Sequence, residues 1–376
     1  MIYFDNASTT KISERALAVY NEVSNECFFN ASSLHKGGVA AKLKLENARE
    51  TIVDCINAPI GGKVLFCSGA TEANNMALFG LTKKNQRVLV SVGEHPSIYN
   101  TATMLAQRGV EVDFVGLGED GTVDLEDYKK KVASGNYDLV SVMFANNETG
   151  AINDIRLLCE IAKQANPSCV FHSDCVQAFG KIKVDVESLG VDSISLSAHK
   201  INGPKGVGAL YIKKGVKFAP VVYGGGQEGN LRSGTENLPA ICAFAEAAKE
   251  RIERLYDDYA AVLQLKQEII KVFDDNNFEY KINGSANNSP YILSVSLAGV
   301  KGEVLVHKLE IDDIYIGTGS ACSSKSSDNR ILTAMKKSKN EILGNIRLSF
   351  SASNTIDQAR LVAKKVVEYA TYLRQM

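Results

Sequence analysis

Short apolar segments rich in β-branched residues alternate with amphipathic helical segments through the first two thirds of this chain. A continuous apolar run is typical of a strand that is buried on both faces, as in a parallel sheet. The alternation therefore predicts an α/β fold in which helices cover both faces of a mainly parallel, seven-stranded sheet. The predicted strands are residues 63–67, 87–92, 110–115, 139–144, 169–173, 193–196 and 208–212. The predicted helices between them include residues 70–81, 98–108 and 155–164.

The pattern changes after Gly234, where a long helical segment leads into a region of mixed helices and strands. A chain of 376 residues is long for a single hydrophobic core. We expect a large α/β domain over residues 14–255 and a smaller α+β domain formed by residues 1–13 and 256–376. Beyond Gly234 the predicted helices are 238–273 with a break near Asp257, 303–309 and 355–373, and the predicted strands are 291–297 and 346–351.

Charge and composition argue against several classes of partner. The formal net charge of −1 gives no electrostatic footprint for nucleic acid or for an anionic membrane. No apolar run reaches membrane-spanning length, and the first residues show no basic segment followed by an apolar stretch, so we expect a cytoplasmic protein. None of the eight cysteines forms a Cys-x-x-Cys pair, which gives no support for a preformed metal site, and we expect these thiols to stay reduced.

Lys200 is placed where burial would change its chemistry. It follows the predicted strand 193–196 within the sequence Ser-Ala-His-Lys and precedes a Gly-Pro turn at 203–204. Burial disfavours the ammonium form of lysine, and a neutral amine can hold an aldehyde cofactor as a Schiff base. A loop lysine that happens to follow a strand is an equally good interpretation of this motif alone.

Polar residues also follow other predicted strands, and in an open parallel sheet ligands bind at the edge where the strands end. Small residues around Thr71 suit an anion at a helix N-terminus, although a plain helix cap has the same pattern. Asp174 can hold a pyridine nitrogen protonated or cap a helix, and His95 can stack on a planar ring or be a satisfied polar residue. An amide at Asn146 or Asn147 can bond a phenolic or carboxylate oxygen, or belong to a turn. Their convergence on one sheet edge favours a cofactor site.

Segments that run in order along nearly the whole chain give a specific family resemblance. They are residues 3–10, 68–72, 94–95, 146–148, 174 with 177, 197–200, 203–206, 232–235, 319–323 and 346–349. On these segments the chain resembles the pyridoxal-phosphate enzymes of aminotransferase class V and, within them, the cysteine desulfurases of the NifS and IscS type. The resemblance implies fold type I, a pyridoxal 5′-phosphate cofactor and a homodimer with shared sites.

The resemblance also implies roles for individual residues. Lys200 would form the Schiff base and act as acid and base at the substrate carbons, Asp174 would pair with the pyridinium, and His95 would stack on the ring and activate the substrate thiol. Asn30 and Arg347 would bind the substrate carboxylate, a task suited to a guanidinium fork. The other residues implied in cofactor binding are Ala70, then Thr71, Ser197 and His199 at the phosphate, Asn147 and Gln177 near the ring oxygen and the substrate, and Thr235 reaching the phosphate of the neighbouring subunit.

Cys322 distinguishes among the reactions open to this family. It lies in the segment 317–324, Gly-Thr-Gly-Ser-Ala-Cys-Ser-Ser, which suits a mobile nucleophile better than a buried thiol in a turn. The resemblance implies that L-cysteine gives its sulfur to the Cys322 thiolate and departs as alanine. The Cys322 persulfide would then pass to an acceptor protein, a scaffold or a thiolation enzyme, for iron–sulfur cluster assembly or thiolation. Cys322 is also considered as a transient iron–sulfur ligand, and no other metal ligand is predicted.

Other interpretations stay open at this point: a class V aminotransferase acting on a small amino acid, a selenocysteine lyase, and a cofactor-binding protein that serves as a sulfur-relay or regulatory partner. The polar stretch 325–329 resembles that of long-loop desulfurases. Ala31 follows Asn30 where relatives usually carry proline, and the chain stops at Met376, whereas housekeeping relatives carry a longer tail that docks a scaffold protein. These departures leave the identity of the sulfur acceptor open.

Overall fold

The computed structural model describes residues 1–285, 287–319 and 329–375. In these ranges the strands are β1 (Ile2–Tyr3), β2 (Lys63–Cys67), β3 (Arg87–Ser91), β4 (Glu111–Val115), β5 (Leu139–Ser141), β6 (Val170–Asp174), β7 (Ser193–Ser197), β8 (Gly208–Ile212), β9 (Lys281–Ile282), β10 (Ile292–Ser296), β11 (Ile314–Tyr315) and β12 (Asn345–Ser349). The helices are α1 (Glu14–Glu26), α2 (Lys36–Cys55), α3 (Ala70–Leu81), α4 (Pro96–Gln107), α5 (Leu125–Gly135), α6 (Ile155–Ala165), α7 (Val186–Leu189), α8 (Gln227–Asn230), α9 (Leu238–Glu253), α10 (Leu255–Asp275), α11 (Gly302–Glu310), α12 (Arg330–Ala334), α13 (Lys339–Leu343) and α14 (Ile356–Arg374). A 3₁₀ turn, Ala198–Lys200, follows β7.

Seven strands form one sheet in the order β2-β8-β7-β6-β5-β3-β4. Strand β8 runs antiparallel to both of its neighbours, and all other neighbouring pairs in this sheet are parallel. The prediction of a mainly parallel, seven-stranded α/β sheet is therefore confirmed. Because β2, β3, β5, β6 and β7 point the same way, their carboxyl ends lie along one edge of the sheet, where a ligand site is expected.

The side chains of the strands alternate between two apolar clusters, one on each face of the sheet. Along β3, Val88 and Val90 belong to the cluster that includes α3 and α4, whereas Leu89 belongs to the cluster that includes α5, α6 and α9. Successive residues of a strand point to opposite faces, so helices on both sides are needed to bury these strands. The continuous apolar runs in the sequence arise from this double burial.

A smaller sheet lies in the C-terminal third, where β10 pairs antiparallel with both β12 and β9. An apolar cluster joins this sheet to α10, α11 and α14. Phe4 belongs to the same cluster, and its ring meets that of Phe350 edge-on with the centroids 5.5 Å apart. Strand β1 also pairs with β11. The N-terminal residues thus contact the C-terminal region, and the domain boundaries drawn from the sequence stay a prediction.

Strand β5 is shorter than the sequence predicts. It ends at Ser141, whereas the predicted strand continues to residue 144. The Met143 N–H donates to the Glu94 carboxylate at 2.5 Å, so a side chain from the loop after β3 takes the place of a strand partner. The apolar run continues past the strand because these residues remain buried.

Several helix boundaries also differ from the predicted ones by one to three residues. Helix α4 begins at Pro96 instead of residue 98, since proline is accepted in the first turn of a helix and the His95 side chain caps it. The long helical segment breaks at Arg254, earlier than the predicted break near Asp257. In the described ranges, no helix has both the length and the apolar character that crossing a membrane requires.

Candidate active site

A cavity of about 580 Å³ opens at the sheet edge where β2, β3, β6 and β7 end. Residues 7–9 of the N-terminal segment and Arg347 of β12 also line it. The predicted site residues in its lining are Ala70, Thr71, His95, Asn147, Asp174, Gln177, Ser197, His199, Lys200 and Arg347. Asn30 and Thr235 are exposed and lie outside this lining, and Cys322 lies outside the described residues.

The 3₁₀ turn after β7 brings Lys200 to the cavity. Its Nζ donates to the carbonyl oxygens of Ala7 at 2.7 Å and Ser8 at 2.6 Å. The N-terminal segment is itself held on this turn, because Thr10 donates to the His199 carbonyl from its N–H and from its hydroxyl, each at 2.9 Å. Contacts between the N-terminal segment and the sheet edge therefore set the position of the Lys200 amine.

A buried hydrogen-bond network connects Asp174 with His95. The Asp174 carboxylate accepts from the Val176 N–H at 3.0 Å and from the Asn74 amide at 2.7 Å. Asn74 also donates to the Ser97 hydroxyl at 2.9 Å, and this hydroxyl lies 2.7 Å from His95 Nδ1. Because the Ser97 N–H also donates to Nδ1 at 3.1 Å, the neutral ring carries its proton on Nε2. Burial lowers the pKa of His95 against the opposite effect of Asp174, which favours that neutral ring.

Another part of the cavity has the features of an anion site. Helix α3 begins after Gly69, and no side chain caps its first N–H groups. Such groups carry partial positive charge and bind phosphate. The Ser197 hydroxyl is buried here without a hydrogen-bond partner, and a Cβ added to Gly69 would meet nothing within 4 Å. An orphaned hydroxyl, an uncapped helix and open space together fit the phosphate of pyridoxal phosphate.

Charged and titratable side chains around this region also suit an anion. Burial, with help from Lys200 and Lys205, lowers the pKa of His199 to about 4, so its ring is neutral and offers one N–H donor. Lys205 lines the same cavity and adds positive charge. Glu72 lies in the lining too, but its carboxylate is paired with Arg232 at 2.7 Å. The carboxylate is thus neutralised within the protein.

Arg347 is buried in β12 and directs its terminal N–H groups at the protein itself. Nη2 donates to the Asp5 carboxylate and to the Ser8 hydroxyl, each at 2.7 Å. Nη1 donates to the carbonyls of Asn147 at 2.8 Å and Gly319 at 3.3 Å, while Nε is buried without a partner. A substrate carboxylate would therefore meet Nε or replace one of these acceptors. The guanidinium fork expected from the sequence is already engaged.

Sequence reasoning did not single out several residues that the structure brings to this site. Asp5 and Ser8 lie in the matched segment 3–10 but carried no assigned role. Glu148 lines the cavity, accepts from the Asn329 amide at 2.7 Å, and has a pKa raised by burial. Asn74 sits on the buried face of α3, and a buried amide on a helix is a signal that it needs a partner.

The described residues contain no group of three His, Cys, Asp or Glu side chains placed to hold a metal ion. The described cysteines are free thiols, most of them buried. Burial raises the pKa of the Cys175 thiol beside Asp174, which makes it a poor nucleophile. Among the described residues, the titratable groups that line the cavity include amines, carboxylates and imidazoles.

A family model described as aminotransferase class V matches residues 2–362. The chain belongs to this family. Its members are pyridoxal-phosphate enzymes of fold type I, so membership confirms the predicted fold type, cofactor and enzymatic nature of the chain. The roles of individual site residues stay predictions.

Individual relatives indicate which group of enzymes within the family this chain resembles. The cysteine desulfurase IscS 1 of Archaeoglobus fulgidus is 38% identical over 380 residues, which span 98% of this chain and 97% of the relative. A solved structure of a NifS-like protein has a TM-score of 0.92 and 33% identity, with 99% of both chains covered. A solved structure of SspA in complex with cysteine has a TM-score of 0.82 and 27% identity, and covers 94% of this chain and 100% of that one. The predicted resemblance of this chain to the cysteine desulfurases, a group within the class V aminotransferase family, is confirmed.

Proposed function

We propose that this class V aminotransferase family member is a cysteine desulfurase, which takes the sulfur of L-cysteine and releases L-alanine. The observation that most supports this proposal is a single cavity at the carboxyl edge of the sheet, which is lined by Lys200, Asp174, His95 and Arg347. The similarity to proteins named cysteine desulfurase over nearly the whole chain supports this choice among the reactions of the family.

The cofactor is held at three points in this proposal. Lys200 binds its aldehyde, the buried Asp174 carboxylate pairs with its ring nitrogen, and the α3 N-terminus with the Ser197 hydroxyl binds its phosphate. Pyridoxal phosphate, once bound, supplies an electron sink that weakens bonds at the substrate carbons. The uncapped helix and the orphaned hydroxyl support this placement because a phosphate satisfies both.

Two groups of this chain handle protons near the substrate. The Lys200 amine would act as the acid and base at the substrate carbons. His95 is the candidate for the substrate thiol, since its lowered pKa keeps the ring neutral near pH 7. The Ser97–Asn74–Asp174 network holds this ring in one orientation.

The substrate carboxylate is the proposed ligand of Arg347, whose Nε lacks a partner in the protein. Asn147 contributes its backbone carbonyl to the same guanidinium and also lines the cavity. Asn30 was assigned to the same carboxylate from the resemblance. In this subunit the Asn30 amide oxygen accepts from the Ser32 N–H at 2.8 Å, so its part in substrate binding is tested separately by the KM of Asn30→Ala.

Cys322 is the proposed sulfur acceptor within the chain. Its thiolate attacks the sulfur of the substrate, a sulfur–sulfur bond forms, and the carbon–sulfur bond breaks. The bonding electrons stay with the carbon fragment, which is protonated and leaves as alanine. The persulfide then goes to an acceptor protein, which we infer to be a scaffold or a thiolation enzyme for iron–sulfur cluster assembly or thiolation.

We further infer a homodimer, a cytoplasmic location and the two-domain division at residues 13 and 255. Thr235 is exposed and outside the cavity of its own subunit, which supports a role toward a second subunit. A nucleophilic cysteine must remain reduced, as it does in the cytoplasm. Separate apolar clusters around the large and the small sheets support the domain division. Analytical ultracentrifugation tests the dimer.

The deciding experiment is turnover of L-cysteine by purified protein with a thiol reductant, with alanine and sulfide measured together. Cys322→Ala should keep the yellow bound cofactor and lose sulfide release, and Lys200→Ala should lose all turnover. Cys55→Ala is the matched control, because burial raises the pKa of this thiol to about 12 and it should not react. Sulfide release by Cys322→Ala at the parent rate would show that the persulfide role is wrong.

The same assay distinguishes the other interpretations. Exchange of amino groups with a keto acid, without sulfide release, would identify an aminotransferase. A kcat/KM for L-selenocysteine far above that for L-cysteine would identify a selenocysteine lyase. Cofactor binding without turnover of either substrate would leave a sulfur-relay or regulatory protein.

A further inference from the structure

Lys181 is a buried lysine next to the cavity that the proposed function does not use. It is only 5% exposed, and its Nζ donates to Gln177 Oε1 at 2.7 Å. Gln177 donates in turn from Nε2 to the Ala7 carbonyl at 2.9 Å, and the same carbonyl accepts from the Lys200 Nζ at 2.7 Å. A continuous hydrogen-bonded path therefore connects Lys181 with the amine of Lys200.

This path fixes the orientation of the Gln177 amide. The Ala7 carbonyl can only accept, so the group that faces it is the amide NH2, and the Lys181 amine supplies the hydrogen that faces Oε1. Gln177 is itself part of the cavity lining. With Oε1 held and one N–H used, the remaining N–H is what Gln177 can offer to a ligand. A donor at this position suits an oxygen of pyridoxal phosphate, whereas an acceptor would repel it.

The surroundings of Lys181 favour a hydrogen-bonding role over a role as a charge. Burial lowers the pKa of Lys181 well below its usual value, and the nearby Lys200, Arg251 and Arg347 lower it further. Arg251, one of these three cations, is itself hydrogen-bonded to the Asp258 carboxylate at 2.5 Å. The Lys181 Nζ lies 5.9 Å from the centroid of the Tyr291 ring. The Lys181 amine can donate to Gln177 in either protonation state.

We propose that Lys181 is a positioning residue that holds the Gln177 amide so that it presents a hydrogen-bond donor to the cofactor. Lys181 acts through Gln177 and has no contact with the cofactor in this proposal. The inference deepens the proposed function, on which its cofactor rests, but it can be measured without any substrate.

The test compares Lys181→Met with the wild type by two measurements made without L-cysteine. One is the Kd of pyridoxal phosphate for the apo-protein, and the other is the pH midpoint of the visible absorption of the bound cofactor. We expect the Kd to rise about tenfold and the midpoint to rise by about one pH unit, because an oxygen that loses a hydrogen-bond donor binds its proton more tightly. A purely structural role of Lys181 would leave the midpoint unchanged.

Two further variants serve as controls. Lys181→Gln keeps a donor toward Gln177 and should restore most of the wild-type midpoint. Lys266→Met removes another buried lysine, whose Nζ donates to the Ser289 carbonyl at 3.2 Å outside the cavity lining, and should change neither value. A wild-type midpoint in Lys181→Met, or an equal shift in Lys181→Gln, would overturn the proposal.

A double-variant cycle tests whether Lys181 acts through Gln177. Gln177→Leu should shift the midpoint by the same amount as Lys181→Met, and Gln177→Leu combined with Lys181→Met should behave like Gln177→Leu alone. If Lys181→Met by itself folds poorly, the comparison of the double variant with Gln177→Leu still decides, because replacing both hydrogen-bond partners by apolar residues can be nearly neutral for stability. Additive shifts would mean that Lys181 acts independently of Gln177, and the proposal would fail. If the wild type binds the cofactor but forms no alanine, the proposed function fails while this inference stands. If alanine forms and the Lys181→Met midpoint is unchanged, the proposed function stands and this inference fails.

Discussion

A buried hydroxyl that lacks a hydrogen-bond partner can mark a ligand-binding position in this protein, depending on where it lies. Nearly all buried polar atoms in folded proteins have a hydrogen-bond partner, so an exception calls for a reason. Ser197 and Ser141 both carry a buried hydroxyl without a partner. Ser197 lines the cavity beside the start of α3, whereas Ser141 lies in β5 and outside the lining. A phosphate would satisfy the first hydroxyl and leave the second unchanged.

Ser197→Ala should therefore weaken cofactor binding without weakening the fold. A hydrogen bond to a charged group contributes roughly 1.5–3 kcal/mol, so the Kd of pyridoxal phosphate should rise about ten- to hundredfold. The melting temperature of the apo-protein should stay the same or rise, because an unsatisfied hydroxyl is removed. Fluorescence titration and calorimetry measure the two quantities. Ser141→Ala is the matched control and should leave the Kd unchanged; a destabilised Ser197→Ala apo-protein with normal affinity would assign the hydroxyl to the fold.

At the scale of elements, the antiparallel strand β8 lies against the start of α3 through Gly208. A Cβ on Gly208 would lie 2.6 Å from the Leu196 carbonyl oxygen and 2.8 Å from the backbone of Gly69. Both contacts are with backbone, which cannot move as a side chain can. The absence of a side chain at Gly208 thus sets how closely β7, β8 and the anion-binding turn approach one another.

Gly208→Ala should move the turn at Gly69 away from β8. We expect the free energy of unfolding to fall by about 1–3 kcal/mol, because overpacking a core destabilises the folded state. The affinity for pyridoxal phosphate should fall as well. Urea denaturation of the apo-protein and cofactor titration measure the two effects. Gly116→Ala is the control, since its Cβ would make an ordinary contact at 3.6 Å with Asp127. Equal effects of the two substitutions would argue against a specific role of the close approach.

At the scale of the whole molecule, a buried histidine in the central sheet connects stability with pH. His172 of β6 is fully buried, with its ring nitrogens 3.1 Å from the Ser193 hydroxyl and 3.4 Å from the Ser195 hydroxyl. Burial lowers its pKa from 6.5 to about 3. Between these two values the unfolded chain holds a proton on this ring and the folded chain does not. The folded state is therefore destabilised as the pH falls from 6.5 toward 3.

His172→Asn should reduce this acid sensitivity. One such group changes the free energy of unfolding by up to about 1.4 kcal/mol per pH unit, so the variant should show a flatter decline in stability below pH 6.5. His199, with a pKa lowered to about 4, acts in the same direction and keeps part of the slope. Urea denaturation between pH 4 and 7 gives the slope. His307→Asn, at an exposed position, should retain the wild-type slope, and an equally steep slope in His172→Asn would contradict the assignment.

Local patterns were sufficient to predict the elements that carry the site. Strands β2 and β8 and helix α3 begin and end at the predicted residues, because uninterrupted apolar runs and a Ser-Gly start are local signals. The rule that ligands bind where parallel strands end then placed Lys200 and Asp174 together, and both line the cavity. The predicted end of β5 was wrong because the side chain of Glu94, which comes from the loop after β3, accepts a backbone N–H in place of a strand partner.

The sequence alone thus determined the layered α/β architecture and the placement of Lys200 and Asp174 at strand ends, since periodicity and strand-end position depend on neighbouring residues. The family followed from the resemblance of its motifs. Only the tertiary structure decided how those residues are held. Asp5 engages Arg347 at 2.7 Å although they lie near opposite ends of the chain, and Lys181 reaches Lys200 only through Gln177 and a carbonyl of the N-terminal segment. Such contacts depend on how separate elements pack in three dimensions, and no local spacing encodes them.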